Sequence, residues 1–184
     1  METGTVIGID IGGTNFRIGA VGTDGAVARV EVASSSFIGR AKDPLAAIAG
    51  AVKEYCADTG LSNVLCVSVG LPATVDRQRK MVYSVPNIIG PDGRHVLDNL
   101  NIVDGMGQYL DIPVVLNRDV NNLLCYDMFL LDLSGKDIVV GCYIGTGFGG
   151  AIHIFGQFLL GKHGVASEIG HIPYYKGQDI CACG

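Results

Sequence analysis

Only four residues, Gly12-Gly13-Thr14-Asn15, separate the β-branched run Thr5–Ile11 from a second apolar run at residues 16–21. So short a link cannot hold a crossover helix, and the two runs must pair antiparallel. Asp24-Gly25 is a hairpin dipeptide and leads to a third run at 26–32, which predicts a three-stranded antiparallel meander. Asp43-Pro44 then opens a helix whose Leu45, Ile48, Ala49, Val52 and Cys56 recur at helical spacing until Gly60 stops it. A buried strand at 64–69, a turn-rich stretch with Pro86-Asn87 and Pro91-Asp92-Gly93, a helix at 97–110 and a short strand at 114–116 follow. A helix at 120–131 and strands at 138–144 and 151–155 complete the pattern. Strands first and then alternating helices and strands predict an α/β fold with a mixed sheet. The boundary between two lobes is expected where the strand 114–116 gives way to polar Asn117, dividing the chain into 1–116 and 117–184.

Hydrophobic residues make up 48% of the 184, with mean hydropathy +0.37, which is ample for a packed core. The net charge of -5 offers no cationic surface to neutralise a nucleic-acid backbone. No apolar run reaches the roughly 18 residues of a membrane span, and the N-terminus lacks the pattern of a cleaved signal. These features predict a cytoplasmic protein with neither nucleic acid nor membrane as partner. Cys56, Cys66, Cys125 and Cys142 stand singly among apolar residues and read as small buried hydrophobes, whereas Cys181 and Cys183 form a Cys-x-Cys pair.

The link Asp10-Ile11-Gly12-Gly13-Thr14-Asn15-Phe16-Arg17 puts a carboxylate at a strand end and two glycines in the turn. Glycines let backbone N–H groups approach a phosphate, and a carboxylate can hold Mg2+ through water. The same residues also suit a plain hairpin with a charged rim. A second glycine turn, Gly145-Thr146-Gly147-Phe148-Gly149-Gly150, fits G-x-G-x-x-G, with Glu168 at the distance of a ribose-binding acid. A dinucleotide fold needs a helix next, but Ala151 to Phe155 alternates like a strand and Gly156, Gly161 and Gly164 leave no room for one. Strand, turn, strand makes it a second phosphate hairpin. Two such turns can clamp transferring phosphates from both sides.

Asp119 sits at a strand-to-helix junction, where a carboxylate serves as a helix cap or as a general base. Asn87 after Pro86 is a turn residue or an amide aimed at a hydroxyl. His171, three residues after Glu168, is structural or part of a binding pair.

Taken in order, D-x-G-G-T-x-x-R, Pro-Asn, Asp-Val-Asn, G-T-G-x-G, Glu-Ile-Gly-His and Cys-x-Cys-Gly resemble the motifs of the ROK sugar kinases. These belong to the ribonuclease H-like, actin-like ATPase superfamily. The resemblance implies ATP and Mg2+ at Asp10, Gly12, Gly13, Thr14, Arg17, Gly145, Thr146, Gly147 and Gly149, with Asp119 taking the proton from a hexose hydroxyl. It implies sugar contacts from Asn87, Arg118, Asp119, Glu168 and His171. It also implies a structural Zn2+ on His171, Cys181 and Cys183, and a homodimer or higher oligomer. Arg118 stands where glucokinase-like members carry Asn, and Ser167 replaces the Gly before the Glu; with Leu71-Pro72-Ala73-Thr74-Val75 and His163-Gly164-Val165-Ala166 this is most similar to the allose kinase branch. A third cysteine and a second sugar-binding Glu are expected beyond Gly184, so residues 1–184 alone are expected to turn over little or nothing. ROK repressors share the domain but carry an N-terminal helix-turn-helix, for which a first turn beginning by Asp10 leaves no space. A catalytically dead sugar-binding module fits poorly with intact Asp10, Gly12, Asp119 and Gly147.

Overall fold

The computed structural model describes residues 4–145 and 147–179. The chain forms two compact units, Met1–Asp119 and Val120–Gly184.

In the first unit, β1 (Thr5–Ile11), β2 (Asn15–Gly22) and β3 (Val27–Ser34) form the expected meander. A short helix, α1 (Ser36–Arg40), precedes α2 (Pro44–Thr59). The ends of α2 follow from its sequence. The Asp43 carboxylate accepts the Leu45 and Ala46 N–H groups, both at 3.0 Å, and Gly60 closes the helix in the left-handed region at φ 67°. After β4 (Val64–Leu71) come three short strands, β5 (Thr74–Val75), β6 (Met81–Ser84) and β7 (Leu100–Asn101), which pair into a small antiparallel sheet. Helix α3 (Ile102–Met106) and strand β8 (Val114–Arg118) complete the unit.

The helix expected over 97–110 is thus reduced to five residues. Leu100 and Asn101 are spent pairing with β6, and the Asn101 side chain caps the Asp104 N–H at 2.9 Å, so the helix cannot start earlier.

The main sheet has the order β3-β2-β1-β4-β8, antiparallel on the meander side and parallel where β4 joins β1 and β8. Its core follows the strand period: Ile7, Ile9 and Ile11 are buried alternately along β1, facing the α2 stripe of Leu45, Ile48, Ala49, Val52 and Tyr55 in one cluster. Truncating a side chain as buried as Ile7 costs about 2–5 kcal/mol.

The second unit holds most of α4 (Asp119–Leu130) and a three-stranded antiparallel sheet, β9 (Ile138–Ile144), β10 (Phe148–Ile154) and β11 (Gln157–Phe158). Val120, Leu124 and Met128, spaced by one turn, pack with Ala151, Val139, Tyr143 and Phe158. Strand β10 starts three residues before the expected 151, so Gly149 and Gly150 lie in the strand and not in the turn. Cys125 and Cys142 are exposed, against expectation. Cys142 alternates with Gly141 and Tyr143 and so lies on the opposite sheet face from them, and Cys125 lies off the Val120–Leu124–Met128 stripe. Cys56 and Cys66 are partly buried, and burial pushes both thiols up. Among the described residues no helix is long and apolar enough to cross a membrane.

Candidate active site

Strand register brings the first group of site residues together. Asp10 pairs with Gly70 across the β1–β4 ladder, and Gly70 pairs with Asn117 across β4–β8. All three strands run parallel, so Asp10 and the segment Asn117-Arg118-Asp119 leave the same carboxyl edge of the sheet, the edge at which open α/β sheets bind ligands. With neighbouring strands about 4.8 Å apart, the Cα atoms of Asp10 and Asn117 are separated by roughly 10 Å.

Asp10 is also paired with Arg17 in the β1–β2 ladder, and the guanidinium donates from Nη1 to Asp10 Oδ2 at 2.8 Å. Both side chains are half exposed, and one carboxylate oxygen is taken by the arginine. In the turn that follows, the Gly12 N–H donates to the Asn15 carbonyl at 2.8 Å and closes the hairpin. The Gly13 and Thr14 N–H groups meet no backbone carbonyl among the described residues.

The Pro-Asn element lies directly against this turn. A Cβ built on Gly13 would stand 2.9 Å from Asn87 Cβ and 3.0 Å from the Asn87 carbonyl oxygen. Asn87 is itself exposed between fully packed Val85 and Ile88, and Asp98 holds the bend by accepting the Val85 N–H at 2.7 Å.

Arg118 is only 4% exposed, so a surface ion pair does not account for it. Burying a guanidinium costs free energy unless it is partnered, which makes this position a built feature of the sheet edge. Asn117 was not singled out by its motif, yet it is buried and its Oδ1 accepts the Arg118 N–H at 3.1 Å. The one available signal was a polar residue ending an apolar strand. Asp119, half-buried, is the first residue of α4.

In the second unit, the β9–β10 register pairs Ile144 with Phe148 and leaves Gly145 and Gly147 in the turn. The Gly145 N–H donates to the Gly147 carbonyl at 2.9 Å, and a Cβ on either glycine would meet nothing within 4 Å among the described residues. Thr146 lies outside the described residues. Gly149 differs: its Cβ would come 2.7 Å from Val120 Cγ1, so the packing of α4 on β10 requires glycine there.

Glu168 and His171 lie on a tight local fold. Ser167 is left-handed at φ 72°, and Glu168 at φ -74°, ψ 56° forms an inverse γ-turn closed by the Ile169 N–H on the Ser167 carbonyl at 2.8 Å. His171 Nε2 stands 3.7 Å from Glu168 Oε2, both side chains partly exposed. Of the three zinc ligands expected, only His171 is described; Cys181 and Cys183 lie outside the described residues. Among the described residues no three His, Cys, Asp or Glu side chains cluster as a metal site.

Comparison with known proteins shows the family. The ROK family profile matches residues 6–184. A glucokinase of Streptomyces coelicolor is 33% identical over 184 residues, covering 98% of this chain and 53% of its own length. A glucokinase of Thermotoga maritima is 27% identical over 179 residues, 97% of this chain and 54% of that protein. A ROK family glucokinase from Streptomyces griseus, solved with glucose and AMPPNP, superposes with a TM-score of 0.76 at 31% identity, over 98% of this chain and 54% of the other. The chain spans about half the length of the curated relatives it matches.

Proposed function

The chain belongs to the ROK family, and from that premise we propose that it carries out ATP-dependent phosphorylation of a hexose, in the cytoplasm, within a polypeptide of its relatives' length. The observation that supports this most directly is the shared sheet edge of Asp10 and Asn117-Arg118-Asp119, with Asn87 seated on the intervening turn.

In this reading the Gly13 and Thr14 N–H groups and the second glycine turn receive ATP phosphate oxygens, whose developing charge they neutralise. Asp119 orients the hexose hydroxyl and accepts its proton as the oxygen attacks the γ-phosphorus. The bond to the β–γ bridging oxygen breaks, and ADP leaves. A weakly basic carboxylate suffices, because the proton departs late. Asn87, Glu168 and His171 hold the other sugar hydroxyls, and buried Arg118 tunes which epimer fits, with D-allose at its 6-hydroxyl the preferred substrate.

Mg2+ fits Asp10, whose side chain is half exposed with one oxygen held by Arg17; it would neutralise phosphate charge there. Zn2+ fits the donor chemistry of His171 with Cys181 and Cys183, and His171 is 45% exposed. It would brace the segment bearing Glu168. The 184 residues alone are expected to turn over little.

The test is hexose-dependent ADP release by the whole-length enzyme across epimeric hexoses. Transfer to at least one hexose, with allose above glucose, is the expected result. Hexose binding without any ADP release would instead make this a ROK regulator domain and overturn the kinase reading.

A further inference from the structure

We infer that the sugar-contacting segments are positioned by the phosphate turns themselves, through glycines whose missing side chain faces the chain and not the nucleotide. This rests on the kinase reading above and assigns a second role within the same site.

The glycines of the two turns divide by what stands beside them. At Gly12 an added Cβ would be at ordinary contact, 3.5 Å from the Asn15 carbonyl, and at Gly145 and Gly147 it would meet nothing within 4 Å among the described residues. Neither Gly12 nor Gly145 has the positive φ that favours glycine. The described residues do not require glycine at Gly12 or Gly145, and the open space beside Gly145 and Gly147 is where a phosphate can approach.

Gly13 and Gly150 are the opposite case. Gly13 is pressed on Asn87, at 2.9 Å to Cβ and 3.0 Å to the carbonyl oxygen. A Cβ at Gly150 would lie 2.5 Å from the Ser167 carbonyl and 2.9 Å from Ile169. That carbonyl is the acceptor that closes the γ-turn around Glu168. The approach is mutual, because a Cβ on Gly170 would collide with the Phe148 carbonyl on β10. Each phosphate turn, or the strand leaving it, thus supports one sugar segment by direct backbone contact. Contacts below 3.0 Å cannot be kept by a real side chain, so alanine at either position must displace the sugar segment. Gly13 and Gly150 are therefore positioning residues for hexose recognition.

The two roles separate in binding measurements on the whole-length enzyme, with Mg·ADP and D-allose or D-glucose as probes. Gly13→Ala raises the hexose Kd at least tenfold and the Mg·ADP Kd by a smaller factor; Gly145→Ala raises the Mg·ADP Kd at least tenfold and changes the hexose Kd less than threefold. The Gly13 effect acts through Asn87, so the double variant Gly13→Ala/Asn87→Ala binds hexose no more weakly than Asn87→Ala alone. Additive losses, or an equal loss of nucleotide affinity in Gly13→Ala, would overturn the inference. The contact has a readout independent of ligands: Gly13→Ala lowers Tm, and Asn87→Gly in the same chain recovers part of the loss by removing the opposed Cβ. Failure to recover also overturns it. A wild-type enzyme that binds no hexose defeats the kinase reading instead, and the Tm pair then still decides whether Gly13 supports Asn87.

Discussion

Asp10 and Asn117 are both in register with Gly70, one on each side of it, so one glycine of β4 separates the acidic end of β1 from the end of β8. Nothing in their sequence separation of 107 residues hints at this (117 − 10). It follows from two parallel ladders, and it places a candidate cation-holding carboxylate and a candidate base on one edge.

Asp119→Asn keeps the size and helix-compatible shape of the side chain but cannot take a proton. In the whole-length enzyme, kcat for ADP release should fall by about 10²–10⁴-fold, the usual contribution of a positioned base. Hexose Kd should remain within a few-fold. Turnover within tenfold of wild type would remove Asp119 from the reaction.

Arg118 lies buried beside Asp119 at the point where the proposed epimer preference is set. Arg118→Asn is expected to lower the allose-to-glucose ratio of kcat/KM by at least tenfold, equal to about 1.4 kcal/mol of discrimination. An unchanged ratio across epimeric hexoses would show that the guanidinium is structural.

Ser167 has φ 72°, and its buried hydroxyl finds no hydrogen-bond partner among the described residues. A left-handed non-glycine residue costs roughly 1–2 kcal/mol, partly offset by the greater chain entropy glycine gives the unfolded state, about 0.4–1 kcal/mol. Ser167→Gly should therefore stabilise the chain by about 1 kcal/mol, a rise in Tm of roughly 2–4 °C by calorimetry. A fall in Tm would mean that the serine has a favourable contact.

Tyr143 donates its hydroxyl to Asp127 Oδ2 at 2.8 Å, tying β9 to α4. Burial first, and then the Asp127 hydrogen bond and charge, push the Tyr143 phenol well above its usual range. Because the folded pKa is raised, this stabilisation is complete below the unfolded tyrosine value of about 10 and is lost as pH rises through the folded value. Tyr143→Phe should cost about 1 kcal/mol at pH 7, measured by denaturant unfolding. It should also flatten the decline in stability between pH 9 and 11 relative to wild type, with those windows set by the reference tyrosine value. An identical decline in both proteins would assign the alkaline loss elsewhere.

The sequence alone determined the elements whose cause is local. The meander follows from a four-residue link and an Asp-Gly turn, α2 from Asp43, Pro44 and Gly60, and the non-Rossmann character of the second glycine turn from the strand pattern behind it. It also carried the ordered motifs that identify the family. Tertiary structure alone decided which glycine does what, because Gly12 and Gly13 are neighbours with the same composition, and only the Asn87 bend packed on one of them tells them apart. The burial of Arg118, the exposure of Cys125 and Cys142, and the shortening of α3 by pairing with β6 were hidden for the same reason. Each depends on what another part of the chain brings against the residue, and a periodicity of one segment contains no information about its partner.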